Sequence, residues 1–409
     1  MKIAVVGAGL VGLASAHALA DEGHAVTVLD REGPAAGASR GNAGWLAHTD
    51  IDPIASPKML RQVPRFLMDP LGPLAIRPSY LLPIMPWLVR LVLAARPAQL
   101  ERSVESLAAL QALAMPAWEQ LAGQLGIKDF IHRRGGLFVF ESARDFAAAR
   151  PHFDKQRAFG IACDDLGEDE LRQMEPGLAD TVKAAAYFPD AAHVRDPRLL
   201  TEALFEAALG RGVLFRQAAV EAVEGGDRPA IRLAEGSAEA WDGVVVAAGA
   251  WSKPLAAGLG DSVPLETERG YNVSFPGVSR LLRPVSFQGH GFVATPMETG
   301  LRIGGAVELA GLKLPPNHER SRALHAKARR FIRDLPAYDT GTQWMGFRPS
   351  LPDSLPVIDR SRASAKVVYA FGHGHYGLTQ SAATARIVAD LMAGREPPVD
   401  LARFSARRF

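Results

Sequence analysis

Three glycines in the run Gly7-Ala8-Gly9-Leu10-Val11-Gly12 stand between an uncharged stretch, Ile3-Ala4-Val5-Val6, and a helical pattern that reaches Glu22. A second apolar stretch, Ala25-Val26-Thr27-Val28-Leu29, ends at Asp30. Strand, glycine turn, helix, strand and acid, in that order, make the setting in which GxGxxG binds a dinucleotide. Gly7 permits the tight turn, Gly9 lets backbone approach a pyrophosphate, and Gly12 lets the helix pack closely on the strand. The helix start at Leu10 and Val11 offers unpaired N–H groups and a positive dipole end to the phosphates. Asp30 is placed to accept hydrogen bonds from ribose hydroxyls. A plain βαβ turn is the bland alternative, and the agreement of spacing and flanks favours the nucleotide.

A small-residue loop follows, from Arg31 through Ser39-Arg40-Gly41-Asn42-Ala43-Gly44, too rich in glycine for either periodicity. Such backbone can pass close to a flat ligand and turn N–H groups toward a phosphate or a ring oxygen. A surface loop is the alternative there.

The elements that must position these residues alternate along the chain. Leu81 to Ala95 is apolar over much of its circumference and reads either as a core helix or as an amphipathic one, around Trp87, that touches a membrane surface. A long helical pattern then carries Leu100, Val104, Leu107, Leu110, Leu113, Ala114, Trp118, Leu121 and Leu125 toward a core. Gly135 to Phe140 and Ala184 to Phe188 read as strands, Ala143 to Phe159 as a helix, and Pro197 to Leu209 as a helix closed by Gly210. Val213 to Phe215, Ala219 to Val223, Ala230 to Leu233 and Gly243 to Ala248 form a strand series that resumes the nucleotide domain after an insertion. It ends in a second strand-to-helix turn, Ala248-Gly249-Ala250-Trp251-Ser252. Leu265 to Val273, Phe287 to Thr295 and Leu301 to Val307 suggest antiparallel sheet, and Asn317 to Leu335 a charged helix. The strand Val367 to Phe371 leads through Gly372-His373-Gly374-His375-Tyr376-Gly377 into a closing helix from Leu378 and Thr379 to Ala393.

Composition narrows the class. With 409 residues, 48% apolar and 22% charged, the chain is long enough for two domains. A formal charge of +2 argues against a nucleic-acid partner. The single cysteine, Cys163, rules out an internal disulfide and a cysteine-based metal cluster, and no metal site is expected. No apolar run reaches the ~20 residues of a membrane span. Met1 leads straight into the first strand, so a cytoplasmic protein without a signal segment is expected, with peripheral contact to the cytosolic face of a membrane as an option.

Taken together the residues resemble the FAD-dependent D-amino-acid oxidase superfamily, and within it the D-amino acid dehydrogenases. The likeness covers nearly the whole chain. It rests on the glycine fingerprint, Ser39 to Gly44, Val246-Ala-Ala-Gly249-Ala-Trp251-Ser252, Arg302-Ile-Gly-Gly305-Ala-Val-Glu308, Gly346-Phe-Arg348-Pro349 with Asp353 and Pro356, and Gly372-His373-Gly374. The resemblance implies a mixed α/β fold of two discontinuous domains. Residues 1–55, 190–262 and 345–409 would form a Rossmann-like FAD domain, and 56–189 and 263–344 a mixed-sheet substrate domain. It places the Gly249 turn and the backbone at Val220 by the adenine half, and the loops 39–44 and 372–377 around the isoalloxazine. There, several N–H groups would meet the ring edge on which negative charge grows.

Arg348 stands where the family holds the substrate carboxylate, a role that suits a planar fork. His290-Gly-Phe292 lies where glycine-oxidase relatives carry a His-x-Tyr pair, and the phenylalanine removes one hydroxyl. Tyr271 reads as a lining or a core residue and His373 as part of the flavin-side loop, both counted with Arg348 and His290 as candidate catalytic residues, and Arg302 as either a ligand contact or a partner of Glu308. Asp359 stands where the family often has glycine. Covalent sarcosine-oxidase relatives use a cysteine near the C-terminus, which this chain lacks, so the FAD should be non-covalent. The resemblance implies oxidation of the Cα–N bond of a D-amino acid or a cyclic imino acid, with a quinone, a dye or O2 as electron acceptor. The rivals are a glycine/sarcosine-type oxidase, an NAD-dependent dehydrogenase on the same fingerprint, and a non-catalytic flavoprotein.

Overall fold

A computed structural model describes residues 1–69, 71–278 and 280–409. Two large sheets organise it. The first has the order Leu214–Gln217, Ala25–Asp30, Lys2–Val6, Gly243–Val246, Val367–Phe371, Val357–Arg360; the first five run parallel, and the last is an antiparallel edge. Lys2–Val6 is buried on both faces, so its alternate residues serve two different cores. Ile3 and Val5 pack with the helices Leu10–Asp21, Pro197–Gly210 and Gly377–Ala393. Ala4 and Val6 pack on the other side with Leu255, Ile231 and Trp241. The chain departs to either side of Lys2–Val6, and its carboxyl end is the switch point at which such sheets bind ligands.

The second sheet is mixed, as expected. Thr342–Ser350, Glu266–Pro276, Gly300–Leu309, Phe292–Met297 and Val285–Phe287 are antiparallel neighbours. Val285–Phe287 then meets Gly136–Phe140 in parallel. One face buries Val273, Phe275 and Ile303 against Leu324, Ala328 and Phe331, partly on the helix Glu319–Ala328. The other face looks toward the first sheet.

Several expectations need correcting. The strand carrying Arg348 runs unbroken over Thr342–Ser350 in the second sheet, so the expected seam at residue 345 falls inside a strand. The helix Pro97–Leu125, expected in the substrate domain, buries Leu107, Leu110 and Trp118 in the core of the first sheet. There the Trp118 indole N–H donates to the Leu378 carbonyl at 3.0 Å. In the series 213–248 only the first and last strands join the parallel sheet. Val220–Glu224, Ala230–Leu233 and Ala238–Ala240 form a small antiparallel sheet of their own, since short turns leave no room for crossover helices. Residues 287–295 make two strands joined by a turn through Gly289 and Gly291. Regular helix after Asn317 ends at Ala328, beyond which Ile332 bridges to Leu178.

The helix Leu81–Ala94 has a buried face, as the core reading expects, and an exposed apolar face opposite it. Ile84, Trp87, Leu91 and Ala94 are buried, at helical spacing. Leu82, Met85, Val89 and Val92 repeat that spacing on the exposed side. Among the described residues no single helix is long and apolar enough to cross a membrane.

Candidate active site

A cavity of about 960 Å³ is lined by residues of both sheets. On the nucleotide side the fingerprint is built tightly. A Cβ on Gly12 would lie 1.9 Å from the Gly7 carbonyl oxygen, so only glycine lets this helix approach this turn. Gly9 caps the helix without a side-chain bond, and the Leu10 N–H donates to Ser39 Oγ at 3.0 Å. Asp30 accepts from the N–H groups of Ala8 (2.9 Å), Glu32 (2.8 Å) and Gly33 (2.9 Å), which pins the turn and leaves lone-pair capacity for a ribose hydroxyl. The Arg31 guanidinium lies 3.9 Å from the Trp251 ring centroid, and Val220, Ala248 and Gly249 line the cavity with that pair.

Further along, Ser39, Asn42 and Ala43 from one loop and Gly372, Gly374, His375, Tyr376, Gly377 and Leu378 from another line the cavity together, as does Val11. Three expected contacts stand one layer back. Gly12 packs on Gly7, Gly44 donates its N–H to Asn42 Oδ1, and the Thr379 hydroxyl accepts from the Ala47 N–H. None of these three lines the cavity, and their work is to hold the loops.

Strand alternation puts Trp344, Gly346 and Arg348 on one face. The Arg348 guanidinium lies over Gly270, where a Cβ would fall 2.4 Å from its Cζ. Its Nη1 donates to the Ala306 carbonyl at 3.1 Å. Burial lowers its pKa and the charge of Glu268, its cross-strand partner, opposes that shift. Burial alone would raise the Glu268 carboxyl, yet the His375 hydrogen bond and the Arg348 charge hold it below the ordinary carboxylate range.

The other expected catalytic residues are placed differently. His290 turns out of the cavity, with Nε2 2.8 Å from Glu141 and its ring against Phe331; Phe292, from the same turn, does line the cavity. Tyr271 borders the cavity, but its hydroxyl donates to Glu308 at 2.5 Å and accepts from the Asn317 N–H. His373 bonds Thr384 Oγ1 at 3.0 Å, and burial pushes its pKa down to about 3, so the ring is neutral and structural. Arg302 does not pair with Glu308, whose partners are Arg77 and Arg269. Its guanidinium instead donates to the Asn42 carbonyl (2.8 Å) and Ser274 and faces Asp196, bracing the flavin-side loop.

Four lining or supporting residues escaped the sequence reading. Trp344 lies against Gly41, and Asn272 donates to the Gly41 carbonyl at 2.7 Å. Period-two spacing from Arg348 and from Gly270 would have found both. Glu268 would have been found the same way. Asp50 lines the cavity with no hydrogen-bond partner for its carboxyl among the described residues, and burial raises it to about 6; nothing in the local sequence signals this.

A cradle with a helix N-terminus, a ribose acceptor, and two loops that can face a flat ring fits a long dinucleotide. Residues 2–391 match the family described as FAD dependent oxidoreductase (DAO), and the chain belongs to that family. FAD is its cofactor, and the expected superfamily and the Rossmann-like α/β fold stand. The lining contains no cysteine, so the flavin has no thiol there to bond. Among similar proteins, the D-amino-acid oxidase of Bradyrhizobium diazoefficiens is 40% identical across all of this chain and 98% of its own length. D-amino acid dehydrogenase 2 of Ralstonia nicotianae is 33% identical across the full length of both. Among solved structures, glycine oxidase from Geobacillus kaustophilus superposes with a TM-score of 0.75 at 24% identity, covering 100% of this chain and 99% of that one. L-proline dehydrogenase from P. horikoshii gives 0.75 at 21%, covering 100% and 97%. The last two are likenesses of fold. The protein is an FAD-dependent amino acid oxidoreductase, which removes the NAD-dependent rival.

Proposed function

We propose that the enzyme oxidises the Cα–N bond of a D-amino acid or a cyclic imino acid, with hydride leaving Cα for flavin N5. The imine product hydrolyses to a 2-oxo acid where it is not cyclic. The observation that carries this reading is Arg348: a permanent cation that lines the cavity and has, among the described residues, one backbone carbonyl as its hydrogen-bond partner. A bidentate carboxylate there fixes the substrate and so orients Cα–H. FAD supplies the two-electron acceptor. Trp344, Phe292 and Tyr376 line the same cavity. The D configuration rests on the names of the two relatives.

An anaerobic screen of D- and L-amino acids, glycine, sarcosine and imino acids for flavin bleaching tests it. Bleaching by D-amino or cyclic imino acids is expected. Response to glycine or sarcosine alone would replace the reading with that of the glycine/sarcosine oxidases, and no response at all would leave a binding module. Peroxide formation in air then separates an oxidase from a dehydrogenase that uses a quinone or a dye.

We infer a lipid surface as the site of work, and a membrane quinone as a fitting acceptor. Leu82, Met85, Val89 and Val92 are exposed, as are Leu67 and Met68 shortly before them in the chain. Residues 57–96 carry Lys58, Arg61, Arg65, Arg77, Arg90 and Arg96 against Asp69 alone, which suits anionic lipid. Trp87 cannot be the anchor, because it is buried. Val89→Glu and Val92→Glu together should weaken vesicle binding by about tenfold per residue or more, since burying each valine is worth at least ~1.5 kcal/mol. Dye-linked turnover should be unchanged. Equal sedimentation of variant and parent with anionic vesicles would remove the membrane reading.

A further inference from the structure

We propose that His375 is a catalytic base that takes the proton from the substrate's α-ammonium, with Glu268 as its positioning residue; this rests on the amino-acid-oxidation reading above. His375 lines the cavity, and its Nε2 lies 2.8 Å from Glu268 Oε2. Glu268 is 3% exposed and, as a carboxylate, can only accept. The shared proton therefore sits on Nε2, and in the neutral ring Nδ1 keeps its lone pair. No described residue bonds Nδ1, and the side chain stays 37% exposed where it lines the cavity, which leaves that nitrogen free for a substrate proton. Glu268 is also the cross-strand partner of Arg348. A substrate carboxylate on Arg348 carries its amino nitrogen one carbon away, beside the imidazole that shares Glu268 with that arginine.

The other groups around His375 do not compete for this task. His373, on the same loop, is tied to Thr384 and neutral. The Tyr376 hydroxyl is pushed well above its ordinary pKa by burial and by Asp50, Asp52 and Glu268, so it does not act as a base. Among the described residues around His375, Asp50 is the rival base, and it sits with Asp52 and His152 on the Tyr376 side, without a link to Arg348.

Amine oxidation needs a neutral amine, because the nitrogen lone pair must be free to form the C=N bond. In the proposed step a substrate N–H bond breaks and an Nδ1–H bond forms. The positive charge passes from the ammonium to the imidazole, where Glu268 stabilises it, and no electrons change hands. General-base assistance of this kind contributes about 10²–10⁴-fold.

The test uses the FAD-loaded enzyme and the variants His375→Gln, His375→Asn, Glu268→Gln and Asp50→Asn, each checked for a normal flavin spectrum. At neutral pH, kcat/KM of His375→Gln for the best amino acid should fall about a hundredfold or more. Above the pKa of the free ammonium, where the substrate arrives neutral, variant and parent should converge to within about threefold. Glu268→Gln should move the acid limb of the parent's kcat/KM profile to lower pH, because the carboxylate no longer stabilises the imidazolium. A binding readout accompanies these. 2-Aminoisobutyrate has no Cα–H, and its perturbation of the flavin spectrum should be lost at neutral pH in His375→Gln and return at high pH. Isobutyrate, which has no amine, should bind parent and variant alike. A His375→Gln loss of the same factor at every pH, or no loss at neutral pH, overturns the proposal. So does an Asp50→Asn variant that alone shows recovery at high pH. If no amino acid bleaches the parent flavin, the oxidation reading fails first, and that is seen before any variant is compared.

Discussion

Replacing Arg348 with methionine should lower kcat/KM for the best substrate by roughly thirty- to several-thousand-fold, while FAD content and the visible spectrum should stay normal. Methionine keeps much of the length and fits over Gly270, but it leaves a substrate carboxylate unpaired in a mostly apolar cavity. Truncating one partner of such a desolvated charge pair costs about 2–5 kcal/mol, and each ~1.4 kcal/mol is tenfold. Glu268 adds to the effect. Its carboxylate faces Arg348 across the strand pair, and without that cation it repels the incoming carboxylate. Arg348→Lys should recover only part, since a point charge cannot reproduce the fork. A methionine variant within threefold of the parent would sink the assignment. Arg302 would be a poor replacement, because its guanidinium is already committed to Asn42, Ser274 and Asp196.

Gly9→Val should yield folded protein that purifies without FAD. The backbone of Gly9 is extended, at φ −80° and ψ 177°, a conformation that valine adopts freely. A Cβ there meets only Ser39 Oγ, at 3.1 Å, and the rest of the side chain projects into the cavity mouth of the helix N-terminus. It blocks the approach of pyrophosphate to the helix N–H groups. Loss of two charge-assisted hydrogen bonds, at about 1.5–3 kcal/mol each, predicts a fall of about 10²–10⁴ in FAD affinity. Gly12→Val is not an equivalent test, since its Cβ would collide with the Gly7 carbonyl and disturb the fold itself. Full retention of normally absorbing FAD by Gly9→Val, with unchanged melting temperature, would show that the glycine serves the turn alone.

Much of the first sheet was legible because its signals are local. Charge-free runs of four or five residues with glycine turns at their ends can only be buried parallel strands, and the fingerprint spacing names the ligand. Arg348 was legible for a related reason: Gly346, Arg348 and Pro349 lie within one strand, so the motif is continuous in sequence. His290, Tyr271 and His373 were misplaced as catalytic groups because residue type and neighbourhood do not reveal which way a side chain turns. Glu141, Glu308 and Thr384, the partners that claim them, come from other elements or from another turn of helix.

By itself, then, the sequence determined the nucleotide cradle and the strand that carries Arg348, since each depends on spacing within about thirty residues of chain, and it determined the family through the order of several such local motifs along the chain. Only the tertiary structure decided that Trp118 would tie an inserted helix to the start of the closing one, and that Glu268 would stand between Arg348 and His375. Those contacts join residues far apart in the chain, with Glu268 107 positions from His375 and Trp118 260 from Leu378, and their geometry is fixed by strand register and sheet packing. Hydrophobic pattern specifies which face of a strand is buried, but which charged groups meet across the buried face depends on the pairing of strands that no local pattern encodes.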